Sequence, residues 1–452
     1  MRKNNYQYKK STKIDWIDEI PSHWKEVRLG SLFNERKTKV SDKDFPPLSV
    51  TKNGIVPQLD NAAKSNDGDN RKLVLKGDFA INSRSDRKGS SGLSRYDGSV
   101  SLINIVLKPI DIEPTYSEYL LKSYCFIEEY YRFGRGIVED LWTTRYSEMK
   151  NMMIPCPSSD EQIKIASFLD YKLAKINRFI KKKKQLIKLL NEQKAAIINQ
   201  AVTKGLDPNA KMKDSGIEWL GDVPQHWEVK KLRYTVKLNI HKELDNIENF
   251  NVKIALENIE SKTGRILETS ESPFEGIGTI FKKGDVLFGK LRPYLAKVVA
   301  PEYEGSCVNE ILVLTLNKEI WCSNYLKYRM LASDFISIVD NSTYGAKMPR
   351  ANWNFIGGLI IGRPQLIEQN SIVEFIESEN KVIDNTISLI EKEIVLTQEF
   401  KIALITEIVT GKIDVRDYKV PELIPEEESF EDIEEEINLA AEEGVEYETQ
   451  DE

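Results

Sequence analysis

The sequence predicts an α+β fold in which two related globular domains are joined by two long antiparallel coiled-coil helices, with a pseudo-two-fold internal repeat. Three observations predict it. A series of short motifs occurs twice in one order, and each copy is rich in strand and turn signals. Each copy also closes on a long stretch with a seven-residue apolar period.

Trp16-Ile17-Asp18-Glu19-Ile20-Pro21-Ser22-His23-Trp24 returns as Trp219-Leu220-Gly221-Asp222-Val223-Pro224-Gln225-His226-Trp227. Lys76-Gly77-Asp78 returns as Lys283-Gly284-Asp285, and Tyr96-Asp97-Gly98-Ser99 as Tyr303-Glu304-Gly305-Ser306. Pro157, Glu161, Gln162, Ile165 and Phe168 match Pro364, Glu368, Gln369, Ile372 and Phe375. Offsets drift only from 203 to 207, a period too long for a solenoid and long enough for a domain plus a helix. The expected boundaries are 12–157 and 206–364 for the domains, 158–205 and 365–411 for the helices, and 420–452 for an acidic tail.

Within residues 25–155, the runs Leu73-Val74-Leu75, Phe79-Ala80-Ile81 and Ile103-Asn104-Ile105-Val106-Leu107 read as strands between Gly, Pro, Asn and Asp clusters. A short helix is expected over Ser117–Tyr131. Residues 228–363 read the same way, with Val286-Leu287-Phe288 and Ile311–Leu316 as strands.

From Ser159 to Lys204 neither Pro nor Gly intervenes. Apolar residues recur at Leu169, Leu173, Ile176, Ile180, Ile187, Leu190, Ile197 and Ala201, with Lys183 and Lys194 filling gaps. The second copy repeats the ladder at Ile376, Asn380, Ile383, Ile387, Ile390, Ile394, Thr397, Lys401, Leu404 and Ile408. A narrow seam of this period marks a coiled coil, and the matched Lys194 and Lys401 suggest a polar layer that fixes register. The competing reading is two amphipathic helices, each packed on its own domain. Helices of roughly 45 residues, at about 1.5 Å each, reach about 65 Å. Paired antiparallel, they would make a stiff spacer suited to a duplex contacted at two places about 34 Å apart.

With 40% hydrophobic and 30% charged residues among 452, each half can bury its own core. No window approaches a membrane span, and Met1–Asn5 lacks the apolar stretch of a signal peptide. Cys125, Cys156, Cys307 and Cys322 form no CxxC pair and occupy non-matching positions in the two halves. Neither a zinc site nor a disulfide framework is therefore expected, and the setting is expected to be reducing and cytoplasmic. The net charge of -7 hides a basic body: residues 420–452 hold 15 of the 71 acidic side chains and none of the 64 basic ones. A basic body suits a polyanionic partner. The tail reads either as a solvated disordered segment or as a competitor for that basic surface.

Catalytic sets are not found. Gly411-Lys412-Ile413 and Gly289-Lys290-Leu291 lack the spacing and hydroxyl of a P-loop, and no GxGxxG occurs between a strand and a helix. The Asn/Asp-Pro-Pro-aromatic tetrad of amino-methyltransferases is missing, and three histidines are too few for an imidazole cluster. His23 and His226 read as structural: each neighbouring Trp anchors the start of its domain while the His hydrogen-bonds nearby backbone. The expectation is a binder and organiser with no catalytic or metal-ligating residue.

Over residues 12–418 these motifs resemble the specificity subunit of type I restriction–modification systems. The carriers are Ile20–Trp24 and Val223–Trp227, Lys76–Ile81 and Lys283–Phe288, and the Pro-x-x-x-Glu-Gln segments Pro157–Gln162 and Pro364–Gln369. The closing segments Val202–Asp207 and Val409–Asp414 also match. The resemblance implies a target-recognition domain in each half, reading one part of a split, asymmetric site on double-stranded DNA. It implies spacer helices that set the half-site separation and dock two methyltransferase subunits. Those subunits would bring S-adenosylmethionine for adenine N6 methylation, and separate restriction/translocase subunits would bring ATP and Mg. No cofactor is expected on this chain itself, and no membrane partner. The rival reading is a structural scaffold that assembles protein partners without reading DNA. The tail lies outside the repeated unit and outside this pattern.

Base-reading residues are sought where the two copies differ. Ser49–Gly54, with Lys52 and Asn53, corresponds loosely to Ile254–Ile259, with Asn258. Arg84, Arg87 and Lys88 crowd one loop, and Lys290, Arg292 and Tyr294 are its counterpart. A later cluster holds Arg135, Trp142, Thr143, Arg145 and Tyr146 in the first copy; the second holds Asn341, Ser342, Thr343, Tyr344, Lys347 and Arg350. Arg and Lys can donate to guanine and Asn can pair with adenine, while most such contacts go to phosphates. Each cluster is therefore a candidate for base contact, for phosphate contact or for a solvated loop.

Overall fold

The computed structural model describes residues 5–58, 68–136, 142–242, 252–267, 274, 277–343 and 348–421. The chain is an α+β protein that divides into two compact units, residues 1–182 with 393–452 and residues 183–392. Both cuts fall inside the two long helices, Ser159–Lys204 and Leu366–Val409. The acidic tail expected over 420–452 lies almost wholly outside the described residues.

The first unit is built on an antiparallel sheet in the order Ser91–Leu93, Phe79–Asn82, Asn104–Pro109, Phe33–Glu35. Because side chains alternate across a strand, this sheet feeds two cores. Phe79, Ile81, Ile105 and Leu107 enter one with Trp24, Tyr116 and Phe126. Ala80 and Val106 enter the other with Leu48, Ile55, Val74 and Val100. The Lys-Gly-Asp motif makes the turn into the sheet's inner strand. Gly77 has φ +89, and the buried Asp78 carboxylate accepts Leu75 N at 2.9 Å and Arg36 Nε at 2.6 Å. The helix expected over Ser117–Tyr131 is instead two, Pro114–Leu121 and Tyr124–Arg132. Ser123 interrupts the apolar period because its hydroxyl caps the second helix at Phe126 N, the usual function of Ser at that position.

In the second unit the sheet order is Val236–Asn239, Ile311–Leu316, Val286–Gly289, Val298–Val299. Again two cores result: Val286, Phe288 and Leu314 meet Trp227 and Tyr325, while Leu287 and Val313 meet Ile254, Phe281 and Cys307. Gly284, at φ +95, and Asp285, accepting Lys282 N at 2.9 Å, repeat the turn. Where the first unit has the hairpin Leu48–Thr51 and Gly54–Pro57, this one has the short strand Lys253–Ile254 and the turn Leu256–Asn258. Burial pushes the Cys307 thiol up to about 12. Its thiolate fraction at pH 8 should then fall about a thousandfold below that of an ordinary thiol. Iodoacetamide should accordingly leave Cys307 unmodified in the native chain and modify it in urea, as read by peptide mass spectrometry.

Each unit holds the beginning of one long helix beside the end of the other. In the first, Leu169 and Leu173 share a core with Leu404, Ile408 and Val409, Ile176 packs at its edge, and Ile394 is buried. Ile180 is half-buried, and Lys401 Nζ donates to Asn177 Oδ1 at 2.9 Å. In the second, Ile198, Ala201 and Val202 pack with Ile372, Val373 and Ile376, and Ile383 and Ile390 are buried. Ile187, Leu190, Ile197 and Ile387 are half-buried, and Lys194 Nζ lies 2.5 Å from Asp384 Oδ1. The helix ends thus pack on the globular cores and on each other. Among the described residues no helix is long and apolar enough to cross a membrane.

Gly205 and Gly411 follow the two helices at φ +76 and +74, a left-handed stop that favours glycine. A Cβ at Gly205 would lie 3.4 Å from Glu368 Oε1, but at Gly411 it would lie 2.2 Å from Pro21 Cδ. Gly205→Ala should therefore cost about 1–2 kcal/mol from backbone strain alone. Gly411→Ala should cost about 1–3 kcal/mol more from overpacking. Urea denaturation of both variants measures the difference.

Candidate nucleic-acid interface

The frame of each unit fixes what its loops can do. His23 Nε2 lies 2.9 Å from Glu161 Oε2, and Tyr6 OH donates to Glu161 Oε1 at 2.6 Å. In the second unit His226 Nε2 lies 2.8 Å from Glu368 Oε2, and Trp227 Nε1 donates to Glu368 Oε1 at 2.9 Å. The histidines therefore bond carboxylates 138 and 142 residues away, which corrects the expectation of nearby backbone partners. Each carboxylate sits in the first turn of a long helix, where the helix dipole favours negative charge. The adjoining glutamines tie down backbone: Gln162 Nε2 donates to Pro157 O at 3.0 Å, and Gln369 Nε2 donates to Pro364 O at 3.0 Å. Pro-x-His-Trp and Pro-x-x-x-Glu-Gln form one joint in each unit.

On this frame the two cation-rich clusters of each unit become one surface. In the first, Thr143 forms antiparallel bridges with both Arg84 and Arg135, and Ser85 N donates to Trp142 O at 2.9 Å. Arg135 and Arg145 are exposed; Arg145 precedes the short helix Tyr146–Met149, and Tyr146 OH donates to Phe33 O at 2.9 Å. In the second unit Leu291 bridges Arg350, Arg292 N donates to Pro349 O at 2.8 Å, and Ala351 N donates to Lys290 O at 2.8 Å. Arg292 and Tyr294 are exposed, and Lys290 is half-buried. The bridges Arg84–Thr143 and Leu291–Arg350 stand at the same offset of 207. Clusters some 60 residues apart in sequence thus share one sheet-like edge, which no local pattern announces.

Carboxylates that the sequence reading passed over hold these cations. Arg84 NH2 lies 3.0 Å from Asp86 Oδ2, Arg87 Nε 3.8 Å from the same atom, and Lys88 Nζ 2.7 Å from Glu128 Oε2. Arg350 Nε lies 3.2 Å from Glu310 Oε2. Surface pairs of this kind are worth only about 0–1 kcal/mol, so a phosphate or base edge can replace the partner at little cost. Asp86 was legible beside its arginines, whereas nothing local marked Glu310.

The remaining candidates divide. Lys52 and Asn53 are exposed at the hairpin tip. Asn341 is exposed at the end of the helix Ser333–Asn341, and Ser342 and Thr343 turn back on it through their hydroxyls to Val339 O and Asp340 O at 2.7 Å. Asn258 is a correction: it is buried, and its Oδ1 accepts Ala255 N at 2.7 Å, so its amide serves the fold. Tyr344 and Lys347 lie outside the described residues. Among the described residues no three His, Cys, Asp or Glu side chains gather as a metal site would require.

Residues 21–189 match the family profile of the type I restriction modification DNA specificity domain, which places the chain in the class of DNA sequence-specificity proteins. It is 22% identical over 387 residues to the Escherichia coli type I restriction enzyme EcoDI specificity subunit, covering 79% of this chain and 82% of that one. It is 25% identical over 285 residues to the Methanocaldococcus jannaschii type I restriction enzyme MjaVIII specificity subunit, covering 59% and 63%. Residues 21–189 thus resemble a type I restriction modification DNA specificity domain, and both relatives are specificity subunits of type I restriction enzymes. Its fold is similar to a chain in a solved structure concerned with complex assembly and conformational transition of the type I R-M system. That likeness has a TM-score of 0.62 at 14% identity, over 87% of this chain and 99% of that chain.

Proposed function

We propose that the two units are related target-recognition domains, that each reads one half of a bipartite, asymmetric DNA site, and that the paired long helices are coiled-coil spacers setting the distance between half-sites. The observation that carries this is the repeated edge: Arg84–Thr143 in one unit and Leu291–Arg350 in the other join a cation-rich loop to a second polar cluster at one offset. A shared frame with different side chains at the same edge is what two domains reading different sequences require. On this reading the chain has no catalytic role. It acts in the cytoplasm with two methyltransferase subunits carrying S-adenosylmethionine and with restriction subunits using ATP and Mg.

Docking has its own support. Phe375, Val382 and Leu389 in the second unit are exposed at seven-residue spacing, and Leu396 and Phe400 are exposed in the first. Apolar side chains at heptad spacing outside the seam suit a partner helix or sheet.

Selection of randomised duplexes by the full chain tests the reading: a split motif with a fixed gap is expected, and enrichment of no motif would favour the scaffold. Arg84→Ala should lower discrimination in the first half-site by about 1–3 kcal/mol per lost base contact. A uniform loss on all sequences would make Arg84 a phosphate contact instead.

A further inference from the structure

Among the described residues, the non-glycine positions with left-handed backbone are Lys262 (φ 66), Arg292 (φ 51) and Ala296 (φ 47), and they meet in one corner of the second unit. Arg292 and Ala296 flank the tight turn Pro293–Leu295, and Lys262 N donates to Ala296 O at 3.1 Å. Side chains persist in such backbone only where the surroundings over-determine it. Part of that support is local: Arg292 N donates to Pro349 O at 2.8 Å and Ala296 N to Pro293 O at 2.8 Å. The rest reaches the helices. Gly264 lies against Leu331 and Lys327, and the guanidinium of Arg265 pairs with Asp384 Oδ2 on the second long helix. The other oxygen of Asp384 takes Lys194 Nζ from the first long helix at 2.5 Å.

One carboxylate therefore joins a cation of the helix pair to a cation of the globular domain, three residues from the backbone that props the Arg292–Tyr294 loop. At the matching position of the first unit stands Asn177, an amide bonded to Lys401. We propose that Asp384 and Arg265 are positioning residues, which hold the reading loop of the second unit at a fixed height above the helix pair. The inference rests on the reading above, that the Arg292–Tyr294 loop faces DNA.

The test is duplex selection by the full chain and its variants, scored separately for each half-motif; the half relaxed by Arg84→Ala is assigned to the first unit. Arg292→Ala should relax the second half-motif about tenfold. Asp384→Asn and Arg265→Met should relax that same half about three- to tenfold and leave the first half unchanged, Arg265→Met without moving the thermal midpoint, and Asp384→Glu should restore it. Arg265→Met leaves the Lys194–Asp384 pair intact, so it separates positioning from helix pairing. If Arg292→Ala has no effect, the loop does not read DNA and the proposed reading fails there. If Arg292→Ala acts while Asp384→Asn and Arg265→Met change neither half, or both halves equally, the positioning role is overturned.

Discussion

Asp334→Ala is expected to destabilise the second unit by about 3–5 kcal/mol, the cost of leaving a buried charge without its partner. Arg329 is 1% exposed and bonds Asp334 through two parallel contacts of 2.8 and 2.9 Å. Its guanidinium lies 5.4 Å from the Trp219 ring and 5.9 Å from the Phe335 ring, so no water shell can replace the carboxylate cheaply. The same carboxylate accepts Phe335 N at 2.6 Å in the first turn of the helix Ser333–Asn341. Adding Arg329→Met should recover most of the loss, since an apolar replacement of a buried pair is often near neutral. Hydrogen exchange over residues 323–341, with urea denaturation, reads both; equal stability of Asp334→Ala and the parent would refute the assignment.

Trp24→Ala should cost the first unit about 3–5 kcal/mol, the range for deleting a large aromatic from a packed core. Trp24 is 1% exposed among Tyr6, Ile20, Leu169 and Ile408, so its loss opens a cavity where the sheet core meets both helices. The contrast with its counterpart is sharper than the magnitude. Trp227 Nε1 donates to Glu368, whereas Trp24 Nε1 is buried and has no partner among the described residues. Trp227→Phe should therefore lose a hydrogen bond to a charged group, about 1.5–3 kcal/mol, in addition to volume. Trp24→Phe should lose volume only. Equal costs for the two Phe variants would show that the indole nitrogen contributes nothing at Trp227.

The repeat made much of the fold legible. The strand runs at Phe79–Ile81 and Ile311–Leu316 lie in the observed sheets because short apolar runs of β-branched and aromatic residues favour strands locally. Every position expected in the helix seam is buried or half-buried, but Ile198, Val202, Ile372 and Val373 are buried as well, because packing on the globular cores is not written in the period of three and four. What escaped depends on long-range partners. Asn258 carries the polarity of a surface residue, but a turn folds its amide inward. The His–Glu joints span 138 and 142 residues, so the repeated histidines could be noticed without their partners being named. Ser123 could have been read as a cap, but the apolar period on either side of it suggested one helix instead of two.

The helix joint has a consequence for biosynthesis. The core of the first unit includes Leu404, Ile408, Val409 and Val415, which leave the ribosome more than 200 residues after Trp24. The second unit, residues 183–392, is one uninterrupted stretch. It can therefore complete itself while the earlier-made half still waits for its closing staves. In this molecule the portion translated first is the portion finished last, and a nascent chain halted before residue 404 would display an unsealed apolar seam to any chaperone nearby.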